Sequence, residues 1–341
     1  MSTYKNGNYI VSIKNDGTKI YTALRRGEDF NPEFPDSIDI KLTNRCSRGC
    51  PYCHESSSSD GKHGDLERLK AILQKLPPYP IELSFGGGNI LEMSSLDLLM
   101  FFKWCKERDH RIGITLNFSD FLCFYRNPSY TWIELVDAVG VSLDSSTITK
   151  FNKGRNKIEE INTLQTQWYG KTNESIPIVY HLILGTFPIT FLKEFITNSR
   201  LSPTGNWYGP GTEYKTKRIL FLGYKSKGRG SKVKDLYYPT EEYLKDLKDL
   251  IFLGEGADKL TTEEVIFSFD NLAIQQLNLR SSFTTEDWEK VYQGDDFTHS
   301  MYIDLPGQCY GPSSTSETRV NFNDPVYGDN IIKYFQNERN N

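Results

Sequence analysis

The chain has 341 residues, enough to bury a large core in one big domain or two modest ones. Its 38% hydrophobic and 25% charged content is that of an ordinary globular protein and excludes wholesale disorder, while a net charge of −4 gives no global attraction to nucleic acid or anionic membrane. No apolar run approaches the ~18 residues of a spanning helix, and the start, Met1-Ser2-Thr3-Tyr4-Lys5, has no apolar signal segment. Six cysteines in so long a chain do not make a disulfide framework, so a cytoplasmic protein with reduced thiols is expected.

Residues 1–36 read as a β-hairpin. Tyr9–Ile13 and Lys19–Ala23 alternate around Asn15-Asp16-Gly17, a turn signal, and Asn31-Pro32-Glu33-Phe34-Pro35 is a rigid link. From residue 37 strands and helices alternate. Strands are expected at 37–42, 81–85, 112–118, 138–143, 178–184 and 218–224, with helices at 66–76, 95–108, 155–168, 187–199 and 241–253. That order predicts an α/β fold, a parallel sheet with helices outside, curving into a partial (β/α)6 TIM-type barrel with its site at the C-terminal ends of the strands. The barrel is assigned to 37–257. After it, 258–341 reads as a C-terminal α+β extension, with strands at 265–269 and 300–304 around a helix at 285–292 and a short helix in the tail.

The loop leaving the first barrel strand carries Cys46-Ser-Arg-Gly-Cys50-Pro-Tyr-Cys53-His54-Glu55, then four serines and Asp60-Gly61-Lys62-His63-Gly64. Three thiols in eight residues suggest a metal site. Zinc in a closed site takes four ligands, with His54 available as the fourth. An iron–sulfur cluster of the four-iron type normally takes four thiolates, so three would leave one iron open to a small molecule. Beyond this loop, Phe85-Gly86-Gly87-Gly88-Asn89 ends the second strand, where glycines let the backbone come close to a ligand. Thr115-Leu116-Asn117 ends the third strand and Val141-Ser142-Leu143-Asp144 the fourth, each with a polar group able to hydrogen-bond a ligand without adding charge.

His181 lies within the fifth strand, where alternation sets it opposite to Tyr180 and Leu182 and so open to the barrel interior, though a buried, hydrogen-bonded core histidine is expected, while His63 is expected on a flexible loop able to reach a substrate. Cys105 and Cys123 read as core thiols. Between Lys215 and Lys234 there are eight basic residues and no acidic one. Lys225, Lys227 and Arg229 at the barrel mouth are expected to bind an anionic group of the substrate, with Gly228 and Gly230 freeing the loop to close. Aromatics are not interleaved there, which disfavours single-stranded nucleic acid.

The C-x3-C-x-aromatic-C pattern resembles the signature of the radical S-adenosylmethionine (SAM) superfamily. The resemblance implies that Cys46, Cys50 and Cys53 hold a [4Fe–4S] cluster whose open iron chelates SAM, and that Tyr52 lies near the adenine. It further implies that Gly86, Gly87 and Gly88 meet the SAM amino group through their backbone. Gly88 and Asn89 depart from the family's Gly-Gly-Glu-Pro pattern, so no glutamate role carries over. Asn117 and Ser142 match positions near SAM. The implied reaction is reductive cleavage of SAM, fed by an external flavodoxin- or ferredoxin-type donor, to a 5′-deoxyadenosyl radical that takes hydrogen from a substrate, either a peptide or protein or a phosphorylated small molecule. The Cys-His-Glu run, Gly-Lys-His-Gly-Asp-Leu and the Gly-Gly-Gly-Asn turn are similar to phage-borne members. Ser268-Phe269-Asp270 and Tyr302-Ile303-Asp304-Leu305-Pro306-Gly307 loosely resemble a SPASM or twitch extension stripped of its thiols except Cys309, so no auxiliary cluster is expected. The alternatives are a zinc-stabilised binding module and an iron–sulfur electron carrier that does not cleave SAM.

Overall fold

The computed structural model describes residues 2–14, 19–127, 129–143, 157–172, 176–197, 217–253, 265–292 and 294–339. The expected turn at Asn15-Asp16-Gly17, the start of the helix expected from 155, and Asp144 and Lys215 lie outside the described residues.

The first 36 residues form a three-stranded antiparallel sheet rather than a two-stranded hairpin: β1 (Ser2–Asn6), β2 (Tyr9–Ile13) and β3 (Lys19–Ala23). β1 escapes a reading by alternation because only Tyr4 and Asn6 are buried in it. The sheet is fastened to the barrel through Asp36, which is fully buried and accepts hydrogen bonds from the Tyr9 and Tyr21 hydroxyls (3.3 and 3.2 Å) and pairs with Lys19.

A second sheet of ten strands contains β4 (Ser37–Thr43), β5 (Glu82–Gly87), β6 (Arg111–Asn117), β7 (Ala138–Ser142), β8 (Ile178–Ile183) and β9 (Lys217–Leu222), all parallel neighbours in that order. This is the expected partial TIM-type barrel with flanking helices. Two strands of the C-terminal stretch extend the same sheet. β10 (Val265–Phe269) pairs parallel with β9 at one edge, and β11 (Ser300–Asp304) pairs parallel with β4 at the other, followed by antiparallel β12 (Cys309–Gly311) and β13 (Val320–Asn321).

β5, β6, β8 and β9 alternate buried residues with more exposed ones, while β4 and β7 carry runs of three or more buried residues. Ile38, Ile40 and Leu42 of β4, Leu83 and Phe85 of β5, and Ile112, Ile114 and Leu116 of β6 are buried with Leu69, Ile72 and Leu73 of the helix Leu66–Leu73 and Leu98, Phe101, Phe102 and Cys105 of the helix Ser95–Glu107. The opposite face lines the barrel lumen with small or polar residues, among them Ser84, Gly86, Gly113, Thr115, Gly140 and Ser142. A helix not read from the sequence, Phe118–Arg126, follows β6 directly, so the third expected strand ran one residue too far. Cys105 is a core thiol, but Cys123 sits on the exposed side of this helix and is not.

Phe85 carries much of the sheet–helix packing, fully buried with ring centroids 5.5 and 5.3 Å from Phe101 and Phe102. Replacing Phe85 by Ala is expected to cost about 3–5 kcal/mol, read as a lower urea midpoint at unchanged m-value.

Candidate functional site

The cysteine loop runs from the end of β4 to the helix Leu66–Leu73, whose start is capped by the Asp65 carboxylate accepting from Glu67 N–H and Arg68 N–H. It folds back on the strand exit. Asn44 N–H donates to Lys62 C=O, Cys46 N–H to Ser58 C=O (2.8 Å) and Gly64 N–H to Leu42 C=O (2.8 Å). His63 bridges to Thr43, its Nδ1 2.8 Å from the Thr43 hydroxyl, so this histidine is part of the loop's closure rather than a free arm. Cys46, Cys50 and Cys53 are free thiols, each partly exposed.

Three sets of groups from other elements hold this loop. The first is the glycine turn. Gly88 N–H donates to Thr43 C=O (2.6 Å) and Asn89 N–H to Arg45 C=O (2.8 Å), and a Cβ on Gly88 would overlap the Arg45 carbonyl. Gly87 has φ +108°, a left-handed conformation that favours glycine, and a side chain there would run into Thr43 and Lys41. Gly87 and Gly88 therefore serve close backbone approach to the cysteine loop. Gly86 alone faces open lumen, with Thr115 Cβ at 3.7 Å its nearest neighbour. Ser47 donates from N–H and Oγ to Glu92 (3.0 and 2.9 Å), and Arg48 grips the Asp120 carboxylate, which also accepts from Asn89 (3.2 Å).

The second is the basic loop after β9. Arg229 Nε donates to Cys50 C=O (2.9 Å), its NH1 to Ser57 C=O (2.6 Å) and its backbone N–H to Cys53 C=O (3.0 Å). Lys225 donates to Ser314 Oγ (2.8 Å) and Lys227 to Thr315 C=O. The three cations read as an anion site are thus engaged with the protein's own carbonyls and hydroxyls. Tyr52 is buried edge-on against Tyr237, ring centroids 5.3 Å apart.

The third is a buried ionic cluster that the sequence reading missed. Lys41 of β4 pairs with Glu55 (2.5 Å) and with Asp304 of β11 (3.2 Å), its side chain only 8% exposed. Tyr302 donates to Glu55 (2.9 Å), and His54 Nε2 lies 3.3 Å from the same carboxylate. Burial alone would raise the Glu55 carboxyl, but the hydrogen bonds and charges of His54 and Lys41 together hold it well below the ordinary carboxylate range. Burial likewise works against the Lys41 ammonium, yet Glu55 and Asp304 raise its pKa. Lys41 is visible in sequence as a charge on the lumen phase of an alternating strand. Its partners, 14 and 263 residues away, are not.

On the lumen wall, Asn117, Ser142 and His181 stand in one row across β6, β7 and β8. The Asn117 carbonyl oxygen accepts from Asp120 N–H (2.8 Å) and caps the helix Phe118–Arg126. His181 is not a hydrogen-bonded core histidine. Tyr180 and Leu182 take the core side, and the imidazole turns into the lumen over Gly140, where it has no hydrogen-bond partner among the described residues. Its surroundings push its pKa down to about 4, so it is neutral near pH 7. Asp39 of β4 also opens onto the lumen, its carboxyl pushed up to about 6 by the surrounding protein against the pull of Lys225. The structure thus gathers a polar wall, Gly86, Thr115, Gly140, Ser142 and His181, beside a loop clamped from three directions.

Two consequences are measurable. Replacing Lys41 by Met leaves Glu55 buried beside one fewer cation and is expected to destabilise the fold by about 3–5 kcal/mol. Glu55 has a lowered folded pKa, so its contribution is full above its ordinary 4.5 and is lost as pH falls through the folded value. Lys41 has a raised one, so its share is full below its ordinary 10.5 and is lost at higher pH. The wild-type advantage in urea titrations should therefore be flat from about pH 5 to 10. Replacing Arg229 by Ala should instead leave the barrel folded and open residues 46–58 to limited proteolysis; unchanged cleavage would show that the guanidinium does not hold the loop.

No family model matches the chain, and no curated protein matches it. Among solved structures it is similar to Streptococcus suis SuiB bound to S-adenosylmethionine, with TM-score 0.57 and 14% identity over 89% of this chain and 68% of that one. It is likewise similar to SuiB bound to the precursor peptide SuiA (TM-score 0.54, 13% identity, 89% and 67%) and to SuiB itself (0.57, 15%, 89% and 66%). At such identities the likeness speaks for architecture. The chain shares with SuiB the fold described above, a parallel partial barrel with flanking helices.

Proposed function

We propose that the chain is a radical SAM enzyme whose Cys46, Cys50 and Cys53 hold a [4Fe–4S] cluster. The observation that carries this reading is the cysteine loop: three partly exposed thiols at the exit of the first barrel strand, on a backbone fixed by Arg229, the Glu55–Lys41 pair and the glycine turn. The donor set fits the group, since three thiolates each take one iron and leave the fourth open. A zinc knuckle fits less well. It needs a fourth protein donor beside the three thiols, and His54, the one at hand in the loop, is turned to Glu55.

When bound, the cluster and SAM would supply the electron transfer and the 5′-deoxyadenosyl radical that takes a substrate hydrogen. The protein's part is placement and exclusion of water. Gly86 presents open backbone at the lumen, and Ser142 and neutral His181 offer hydrogen bonds without charge beside it. Tyr52 would lie near the adenine. Asn117, whose carbonyl oxygen caps a helix, would keep its amide N–H for a ligand. An external one-electron donor of the flavodoxin or ferredoxin type would serve the cluster. In this reading 37–257 is the catalytic barrel, with 1–36 and 258–341 as its N-terminal and C-terminal additions.

For the substrate we favour a peptide or protein. SuiB has been solved with a precursor peptide. Of the three cations expected to meet an anionic group, Arg229 is taken up by the cysteine loop, while Lys225 and Lys227 each donate to one neutral oxygen, of Ser314 and Thr315, and keep their charge. Anaerobic reconstitution with iron and sulfide, reduction with dithionite and addition of SAM should give 5′-deoxyadenosine, and Cys50→Ala should abolish it. Equal product from the variant would refute the cluster assignment. A cluster that forms without cleaving SAM would favour the electron-carrier alternative.

A further inference from the structure

A cavity of about 930 Å³ lies at the gap in the barrel, away from the cysteine loop. Along one side runs β10, whose five residues all line it. β10 stands at one end of the ten-stranded sheet, and among the described residues its edge away from β9 has no strand partner. Ile266 and Val291, both on the lining, remain 47% and 56% exposed, apolar surface that a monomer usually covers.

Charge selects the occupant. Of the five lining carboxylates, Asp36 is buried among Tyr9, Tyr21 and Lys19 and Asp270 caps a helix, which leaves Glu82, Asp295 and Asp296 toward the cavity beside one ammonium, that of Lys19. Lys19 is already divided between Asp36 and Glu82, at 3.4 and 3.0 Å, and Glu82 keeps 45% of its side chain exposed to the cavity. Asp295 and Asp296 are exposed on the rim, held in place by the Tyr292 hydroxyl and the Asn271 amide. The lining also carries Phe267, Phe269, Phe283 and a stacked pair, Trp288 and Tyr292, with centroids 4.6 Å apart, the Tyr292 ring lying next to Asp295. This aromatic wall already takes one cation, since the Arg280 guanidinium lies 5.7 Å from the Trp288 centroid.

We infer that this cavity binds an extended polypeptide segment rich in Lys or Arg, which adds to the free edge of β10 as a further strand. Edge pairing supplies affinity independent of sequence, while the side chains of the segment meet the rim carboxylates and the aromatic rings beside them. The segment belongs to the substrate, or to a protein that carries it, and this assignment alone rests on the peptide-directed reading above; the binding itself does not.

The test uses the full chain, without cofactor, and a fluorescein-labelled octapeptide of alternating Lys and Val, compared by anisotropy with its Glu-Val counterpart at about 0.15 M salt. The Lys-Val peptide should bind at least about tenfold more tightly. The double variant Asp295→Lys, Asp296→Lys, altered only at exposed rim positions, should abolish or reverse that preference. A Lys-Val peptide with alternate amides N-methylated should bind about tenfold more weakly, because it cannot pair on both sides. Equal binding of the two charge types, or affinity untouched by the double variant, overturns the site; equal binding of the methylated peptide overturns strand addition. Formation of 5′-deoxyadenosine is measured separately on reconstituted protein. Its absence beside intact, charge-selective peptide binding would sink the enzymatic reading and leave this inference standing.

Discussion

The ion pair between Lys41 and Glu55 is the interaction on which the site depends. The loop that carries the thiols has no regular structure of its own, so it cannot fix its shape by its own backbone ladder. A buried carboxylate within it, met by an ammonium rooted in β4, gives it an anchor at barrel level. Asp304 and Tyr302 then couple that anchor to β11, so the C-terminal strand takes part in the geometry of a loop hundreds of residues earlier. A pair buried this deeply contributes little net stability against an apolar substitute, but it fails badly if one partner is lost, which makes it a specifier of conformation.

The rest of the site is built around that anchor by satisfying backbone groups. The loop's carbonyls at Cys50, Cys53 and Ser57 are met by Arg229, and the strand-exit carbonyls of Thr43 and Arg45 are met by the glycine turn. Both arrangements require close approach. At Gly228, with φ +55°, a side chain would collide with the His54 carbonyl, as one at Gly88 would with that of Arg45. The result is a thiol-bearing loop held from β4, β5, the segment after β9 and β11.

Charge is distributed with the same economy. Within the basic run that draws the eye in the sequence, Lys225, Lys227 and Arg229 donate to oxygens of the protein while Lys232 and Lys234 stay exposed, and several acids far apart in the chain meet at the cavity beside β10. A linear reading weighs local density of charge. The fold decides which charges still face solvent.

The sequence by itself determined the barrel and the thiols. The strand and helix patterns of β4 to β9 follow from burying one face of each element, which is a local property and also sets His181 opposite to Tyr180 and Leu182. The cysteine spacing is local too, and so is the glycine run. The tertiary structure alone decided how the thiols are held, that Cys123 is exposed, that β10 and β11 extend the barrel's own sheet, and that Arg229 donates to the cysteine loop. Each of these depends on a partner tens or hundreds of residues away, and pairing at such separations is fixed by packing and by the need to satisfy buried polar groups, neither of which leaves a periodic trace in the chain.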